Sequence, residues 1–194
     1  FHNQEDLSIF NKKIFHSNNI SVVNGSGINY SNLNKTNFVS RKSKNLKFLY
    51  AGRLIKNKGI FDLLEAIQLL KKNYPNITFT LIGYSNNLEK KINKKLLYLK
   101  NKKIINLLDF QNNIKNYIED SDCIIFPSYR EGLSKFLLET CLTGRPIITN
   151  DVAGCRNLVI DKYNGFLTEP RSYKSIIDAV NKFIKLDQTD KNLY

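Results

Sequence analysis

At 194 residues and 42% hydrophobic content, the chain can bury one full α/β core and is too short for two large domains. Its 30 Lys and Arg against 17 Asp and Glu give a net charge of +13, which suits phosphorylated ligands, anionic lipid or nucleic acid; the lysines are scattered, and with no binding motif or aromatic stacking stripe beside them a nucleic-acid binder is set aside. No run of 18 apolar residues and no signal peptide occurs, and Cys123, Cys141 and Cys155 form no CxxC pair, so the expectation is a cytoplasmic protein with reduced, structural thiols.

Residues 1–18, with Leu7, Ile9, Phe10 and Ile14, read as the end of a preceding domain, residues 19–186 as the main domain and 187–194 as a cut-short tail. The chain opens on Phe1 and contains no methionine, so a piece of a longer product is expected. Ile20–Val23 is predicted as a short strand, and Asn24-Gly25-Ser26-Gly27-Ile28-Asn29 as a glycine loop. Residues 31–46, rich in Ser, Asn and Lys, read as a linker. Phe48-Leu49-Tyr50 is then a strand, Gly52-Arg53-Leu54 and Lys58-Gly59 follow, and Ile60, Leu63, Leu64, Ile67 and Leu70 repeat at helical spacing. Arg53 and Lys58 therefore sit on a strand-to-helix connection. Two cations there can bind a diphosphate; taken alone they read as solvated charges, and paired with the carboxylate turn described below they do not.

Ile77–Gly83 is the next buried strand, and Leu88, Ile92, Leu96 and Leu99 mark a helix whose other faces carry Lys90, Lys91, Lys94, Lys95, Lys100, Lys102 and Lys103. That surface is either a solvated helix face or a peripheral contact with an anionic membrane, at roughly 1 kcal/mol per nearby lysine. Ile104–Leu108 is a strand ended by Asp109-Phe110-Gln111, and Ile114, Tyr117 and Ile118 make a short helix. The triplet Asp120-Ser121-Asp122 has a metal-binding look, but it precedes its strand and so falls at the wrong edge of a parallel sheet; no metal is expected.

Cys123–Phe126 is an apolar run closed by Pro127, and Leu133, Phe136, Leu137, Leu138 and Leu142 fall at helical spacing before Gly144 and Pro146. This predicts strand, tight turn and helix, with Glu131 and Gly132 in the turn at the carboxyl end of the strand, where open α/β folds bind ligands. The first amides of the helix, on Leu133, Ser134, Lys135 and Phe136, can face an anion or sugar hydroxyls. Glu139 follows Glu131 by eight positions, about 80° around a helix, so one elongated ligand could touch both carboxylates. The strand Pro146–Thr149, the turn Ala153–Arg156, a hairpin-like turn at Asn164-Gly165 into a last strand, and a helix on Ile176, Ile177, Val180 and Ile184 complete an alternating pattern. The fold class is α/β, a doubly wound parallel sheet of Rossmann-like type.

Glu131 and Glu139, with Gly132 after the first, resemble the E-x7-E signature of the retaining nucleotide-sugar glycosyltransferases of family 4, and Gly52-Arg53-Leu54 with Lys58-Gly59 resembles the same family's G-R-L and K-G pair. The loop at Asn24 is similar to its N-G-V-D loop at the domain junction. The resemblance covers about residues 20–186 and implies the C-terminal, donor-binding half of a GT-B fold. It also implies a set of roles: Arg53 and Lys58 on the donor's pyrophosphate, Glu131 on the donor sugar, Gly132 and the Leu133–Phe136 amides against sugar and phosphate, Glu139 on the ribose, and the base near Phe110, with Gly52 among the donor-binding positions. The implied donor is a UDP-hexose or UDP-N-acetylhexosamine used without a metal or other cofactor, and the implied acceptor is a glycan or lipid-linked glycan held by an N-terminal half outside this chain. Leu108-Asp109 and Asn157 depart from the family pattern. A non-catalytic nucleotide-sugar-binding fragment, or one subunit of a two-chain transferase, is the rival expectation.

Overall fold

The structure, a computed structural model, describes residues 1–11, 20–23, 25, 27–28, 45–84 and 89–186. The expectations that rest on Ile14, Asn24, Ser26, Asn29, residues 31–44, Leu88 and 187–194 lie outside them.

Six strands, β1 (Lys47–Ala51), β2 (Thr78–Ile82), β3 (Asn106–Leu108), β4 (Cys123–Phe126), β5 (Ile147–Asn150) and β6 (Gly165–Thr168), form one sheet in the order β3-β2-β1-β4-β5-β6. Every pairing is parallel. The central strands are buried on both faces, as a sheet covered on both sides requires: all of β4 and β5 and four of the five residues of β1 are buried, with Thr149 and Asn150 of β5 polar. The helices are α1 (Gln4–Asn11), α2 (Ile60–Asn73), α3 (Lys90–Asn101), α4 (Ile114–Asp120), α5 (Lys135–Leu142), α6 (Ala153–Arg156) and α7 (Tyr173–Lys185). α2 packs against both α3 and α7 on one face; the right-handed crossovers through α4 and α5 run the other way along the sheet and occupy the opposite face. Phe48 of β1 stacks on Phe79 at 5.2 Å and meets Phe183 of α7 edge-on at 5.8 Å, which joins sheet and helix layer.

Several expectations change. Ile20–Val23 is not a strand: its backbone meets the first residue instead, Val23 N–H donating to Phe1 O at 2.8 Å and the terminal amine donating to Ser21 O, and one such exchange does not build a ladder. The chain at 164–168 is no hairpin, because β6 runs parallel to β5 from Gly165↔Ile147 to Thr168↔Asn150. Residues 153–156, expected as a turn, close one turn of helix and place Cys155 there rather than in a loop. Residues 1–11, read as a remnant outside the core, fold into α1 against the Glu131 turn, with Asn3 only 4% exposed. On the α3 face, Lys95 is tied to Glu65 at 2.9 Å and Lys91 lies 4.2 Å from the Phe61 ring, so two of those lysines serve packing. The three cysteines are unpaired, and burial pushes the Cys141 and Cys155 thiols up to about 11 and about 12, which keeps them protonated and inert.

Candidate functional site

The strand order reverses between β1 and β4, and in a doubly wound sheet that is where a crevice opens at the carboxyl edge. The loop leaving β1 (52–59) and the loop leaving β4 (127–134) meet there. Tyr129 N–H donates to Asn57 O at 2.9 Å, and the Ser128 hydroxyl donates to the same carbonyl at 3.3 Å. Gly59, with φ 67°, lets the first loop sit directly on Pro127 O. The result brings Lys58 and Glu131 together: the ammonium donates to Glu131 Oε1 in an ion pair whose side chains are 16% and 10% exposed. The Lys58 ammonium also lies 5.4 Å from the centre of the Phe126 ring, and Phe126 is flanked by Tyr50 and Phe136.

Beneath this pair lies a polar scaffold that sequence reasoning missed. Asn150, 1% exposed at the end of β5, donates from its amide to Pro127 O at 2.7 Å and Ser128 O at 3.1 Å, while its own carbonyl accepts from the Thr168 hydroxyl at 2.8 Å. Thr149 donates to Phe126 O, and Tyr129 donates to Asp62 at 2.6 Å. Buried polar groups are costly unless bonded, so these contacts define one position for the β4 turn. The available signal was Asn150 itself, a polar residue ending an apolar strand. On the β1 side, the fully buried Tyr50 hydroxyl donates to Arg53 O at 2.7 Å and holds that loop.

Helix α5 starts at Lys135, two residues later than predicted, because Ser134 is its N-cap: the Ser134 hydroxyl accepts from Leu137 N–H at 3.4 Å. Glu131 is therefore in the turn and not on the helix, and the 80° relation to Glu139 does not apply. The Lys135 and Phe136 amides, at the first two helical positions, have no intrahelical acceptor and point out of the helix start. Leu133 does not face the crevice with its side chain; Gly25 packs on it so closely that a Cβ there would come within 2.6 Å.

Two cavities flank Glu139. One of 340 Å³ is lined by Gly52, Arg53, Gly83, Tyr84, Phe110 and Phe136. The other, 560 Å³, is lined by Gly27, Asn113, Lys115 and Lys135 among others. Glu139 lines both. Lys58 and Glu131 line neither, since they fill the space between them with their own contact. Arg53 is exposed at the rim. Tyr84, unnoticed in the sequence, meets Phe110 edge-on at 6.3 Å, and both are more than half exposed.

The family model described as "Glycosyl transferases group 1" matches residues 34–194. The chain belongs to that family. The capsular polysaccharide biosynthesis glycosyltransferase CapH of Staphylococcus aureus is 34% identical over 142 residues, 71% of this chain and 38% of CapH. The UDP-Gal:alpha-D-GlcNAc-diphosphoundecaprenol alpha-1,3-galactosyltransferase of Escherichia coli is 30% identical over 157 residues, 75% of this chain and 38% of that enzyme. The chain thus spans less than half the length of the curated relatives it matches. Among solved structures, a point mutant of Staphylococcus aureus TarM, in complex with Fondaparinux, alpha-GlcNAc-glycerol and UDP, superposes with a TM-score of 0.76 over 96% of this chain and 36% of TarM at 20% identity. The C-terminal domain of the Francisella tularensis glycosyl transferase group 1 family protein LpcC superposes with a TM-score of 0.65 over 77% of this chain and 79% of that one at 23% identity. The architecture is the Rossmann-like C-terminal half of the GT-B fold.

Within this glycosyltransferase group 1 domain, Asp120 and Asp122 lie at the amino edge of the sheet, away from the site. Asp122 accepts from Lys47 N–H at 2.7 Å and Asp120 pairs with the Lys47 ammonium at 2.9 Å, so both lock β4 to β1. Among the described residues, no group of three His, Cys, Asp or Glu could hold a metal ion, and no helix is long and apolar enough to cross a membrane.

Glu139 carries a testable signature. Burial raises its carboxyl above the usual range, and Lys135 opposes part of that rise. A folded-state pKa above the unfolded one gives stability that is full below the unfolded value and lost as pH rises through the folded value. A Glu139→Gln variant should therefore melt higher than the wild type at pH 7 and equally at pH 4. Thermal melts at the two pH values check this; a variant that melts lower at pH 7 shows that the carboxylate stabilises the fold.

Proposed function

We propose that this chain is the donor-binding half of a glycosyltransferase that moves a hexose or N-acetylhexosamine from a UDP-sugar to a glycan or lipid-linked acceptor, with retention at the anomeric carbon, acting from the cytoplasm. The observation that carries the reading is the half-buried Lys58–Glu131 pair beside the α5 start at the switch point of the sheet. A cation, a carboxylate and outward amides within one crevice match a sugar diphosphate in charge and in hydrogen-bonding sense. The 340 Å³ cavity beyond Gly52, Arg53 and Glu139 has room for a nucleoside, with Phe110 and Tyr84 at its mouth. Relatives support the donor class: the E. coli relative's name specifies UDP-Gal, and Anabaena HepE, 23% identical with a TM-score of 0.67, was crystallised with UDP and glucose.

In this reading the bond between the anomeric carbon and the diphosphate oxygen breaks with its electron pair on that oxygen. Arg53, Lys58 and the Lys135 and Phe136 amides oppose the growing negative charge, the part a metal plays in other transferases. The acceptor hydroxyl attacks from the same face and its proton passes to the departing phosphate. Glu131 holds sugar hydroxyls and Glu139 the ribose. Positioning of the acceptor falls to a facing domain, for which relatives about twice this chain's length have room.

Calorimetric titration of this chain with UDP, UDP-glucose, UDP-galactose and UDP-N-acetylglucosamine, each with and without EDTA, tests the reading. Binding of UDP and tighter binding of one UDP-sugar, both indifferent to the chelator, are expected. Binding that vanishes with EDTA overturns the metal-free account, and no binding of any of the four overturns the donor class.

A further inference from the structure

We propose that Asn3 is a positioning residue for the donor-sugar turn, acting from 128 positions away in the sequence by fixing the direction of two peptide groups; this rests on the proposed reading of that turn as the donor site. Asn3 precedes α1 and is 4% exposed. Its carbonyl accepts from Asp6 N–H at 2.7 Å, and one hydrogen of its amide goes to Asp6 Oδ2 at 2.9 Å, which orients the side chain. The other hydrogen is left to fork between Glu131 O at 3.4 Å and Gly132 O at 3.5 Å.

Those two carbonyls belong to the peptides 131–132 and 132–133. In a trans peptide the C=O and N–H point in opposite directions. Drawing both oxygens toward Asn3 therefore turns the Gly132 and Leu133 amides away from it, out of the rear of the turn. The rear is tightly built. A Cβ on Gly154 would come within 2.4 Å of both oxygens, and a Cβ on Gly132 within 2.9 Å of His2 Cβ. Gly132 is the residue whose peptides turn most easily, having no Cβ to hinder a flip. The fork supplies the constraint that the glycine lacks. Ion pairs from Asp6 to Arg130 and from Glu5 to Arg156, both at 2.7 Å, hold α1 in place without touching the carbonyls.

A sugar that hydrogen-bonds the Gly132 and Leu133 amides needs both peptides in this orientation, whereas UDP, met by Arg53, Lys58 and the α5 start, does not. Asn3→Ala and Asn3→Asp, the second retaining the acceptor for Asp6 N–H, should reduce the ratio of UDP-sugar to UDP affinity roughly three- to tenfold, the worth of a modest hydrogen bond, with UDP itself within about twofold. Glu5→Ala, which weakens the hold on α1 and leaves the fork, should keep the ratio. Amide exchange at Gly132 and Leu133 should quicken in both Asn3 variants and not in Glu5→Ala. An unchanged ratio with unchanged exchange, or a loss of UDP and UDP-sugar in equal proportion, overturns the proposal and leaves the donor reading standing. A wild type that binds every UDP-sugar no better than UDP overturns the sugar reading, and the role of Asn3 falls with it.

Discussion

Lys58→Ala is expected to weaken UDP and UDP-sugar together by roughly 10- to 100-fold, the worth of one charge-assisted contact, while Glu131→Gln leaves UDP unchanged or tighter and removes the sugar's extra affinity. The two changes break the same ion pair, so their opposite effects on UDP are informative. Before any ligand arrives the Lys58 ammonium is engaged by Glu131, and a diphosphate must draw it away. Neutralising Glu131 releases the cation for phosphate; deleting Lys58 removes it. Stability should move too. Glu131 is 10% exposed, and stripping its partner leaves a nearly buried carboxylate unpaired, at a cost of about 2–3 kcal/mol. The Lys58→Ala/Glu131→Gln double variant should recover much of that loss. Calorimetry with UDP and a UDP-sugar, beside thermal melts of the three variants, reads both effects. If Glu131→Gln weakens UDP as much as Lys58→Ala does, Glu131 is a phosphate-site residue and its assignment to the sugar fails.

Much of the site was legible because it is local. The apolar run Cys123–Phe126 closed by Pro127 could only be a doubly covered strand, and the turn after such a strand lies at the ligand edge. Arg53, Lys58 and Glu131 were expected at one edge on that ground, and Lys58 and Glu131 do meet, while Arg53 stays on the rim of the neighbouring cavity. The start of α5 was misread because Leu133 continues the apolar spacing; the capping preference of Ser134 was the better signal and outweighs one apolar residue in the turn. Asn57, Ser128 and Asn150 were missed for a different reason. Each binds backbone brought near by the sheet order, and no pattern in the sequence reports which carbonyl an amide will reach. The same holds for Asn3, whose partners are 128 and 129 residues away. Ile20–Val23 has strand composition but, among the described residues, exchanges backbone hydrogen bonds with Phe1 and no strand, and composition cannot supply a neighbouring ladder.

Gly59→Ala is expected to destabilise the chain by about 3–5 kcal/mol, within the range of changes that combine backbone strain with a clash. Gly59 has φ 67°, ending the short 3-10 turn Lys56–Lys58 and opening α2, and a non-glycine residue in that region costs roughly 1–2 kcal/mol by itself. The larger part comes from space. A Cβ at Gly59 would lie 1.9 Å from Pro127 O and 2.8 Å from Pro127 C, and both are backbone atoms, with no rotamer to yield. Relief requires the β1 and β4 loops to part by roughly 1 Å or more to restore ordinary contact distances, which strains the Tyr129–Asn57 hydrogen bond and separates Lys58 from Glu131. Any folded remainder should therefore also lose binding of UDP and UDP-sugar. Gly27 provides the comparison. It has the same φ of 67°, but a Cβ there meets no described atom within 4 Å, so Gly27→Ala should cost only the conformational term. Thermal or urea unfolding of the two variants separates strain from collision: a clear gap between them is expected, and equal stabilities would show that the two loops are not in the close contact on which the crevice depends.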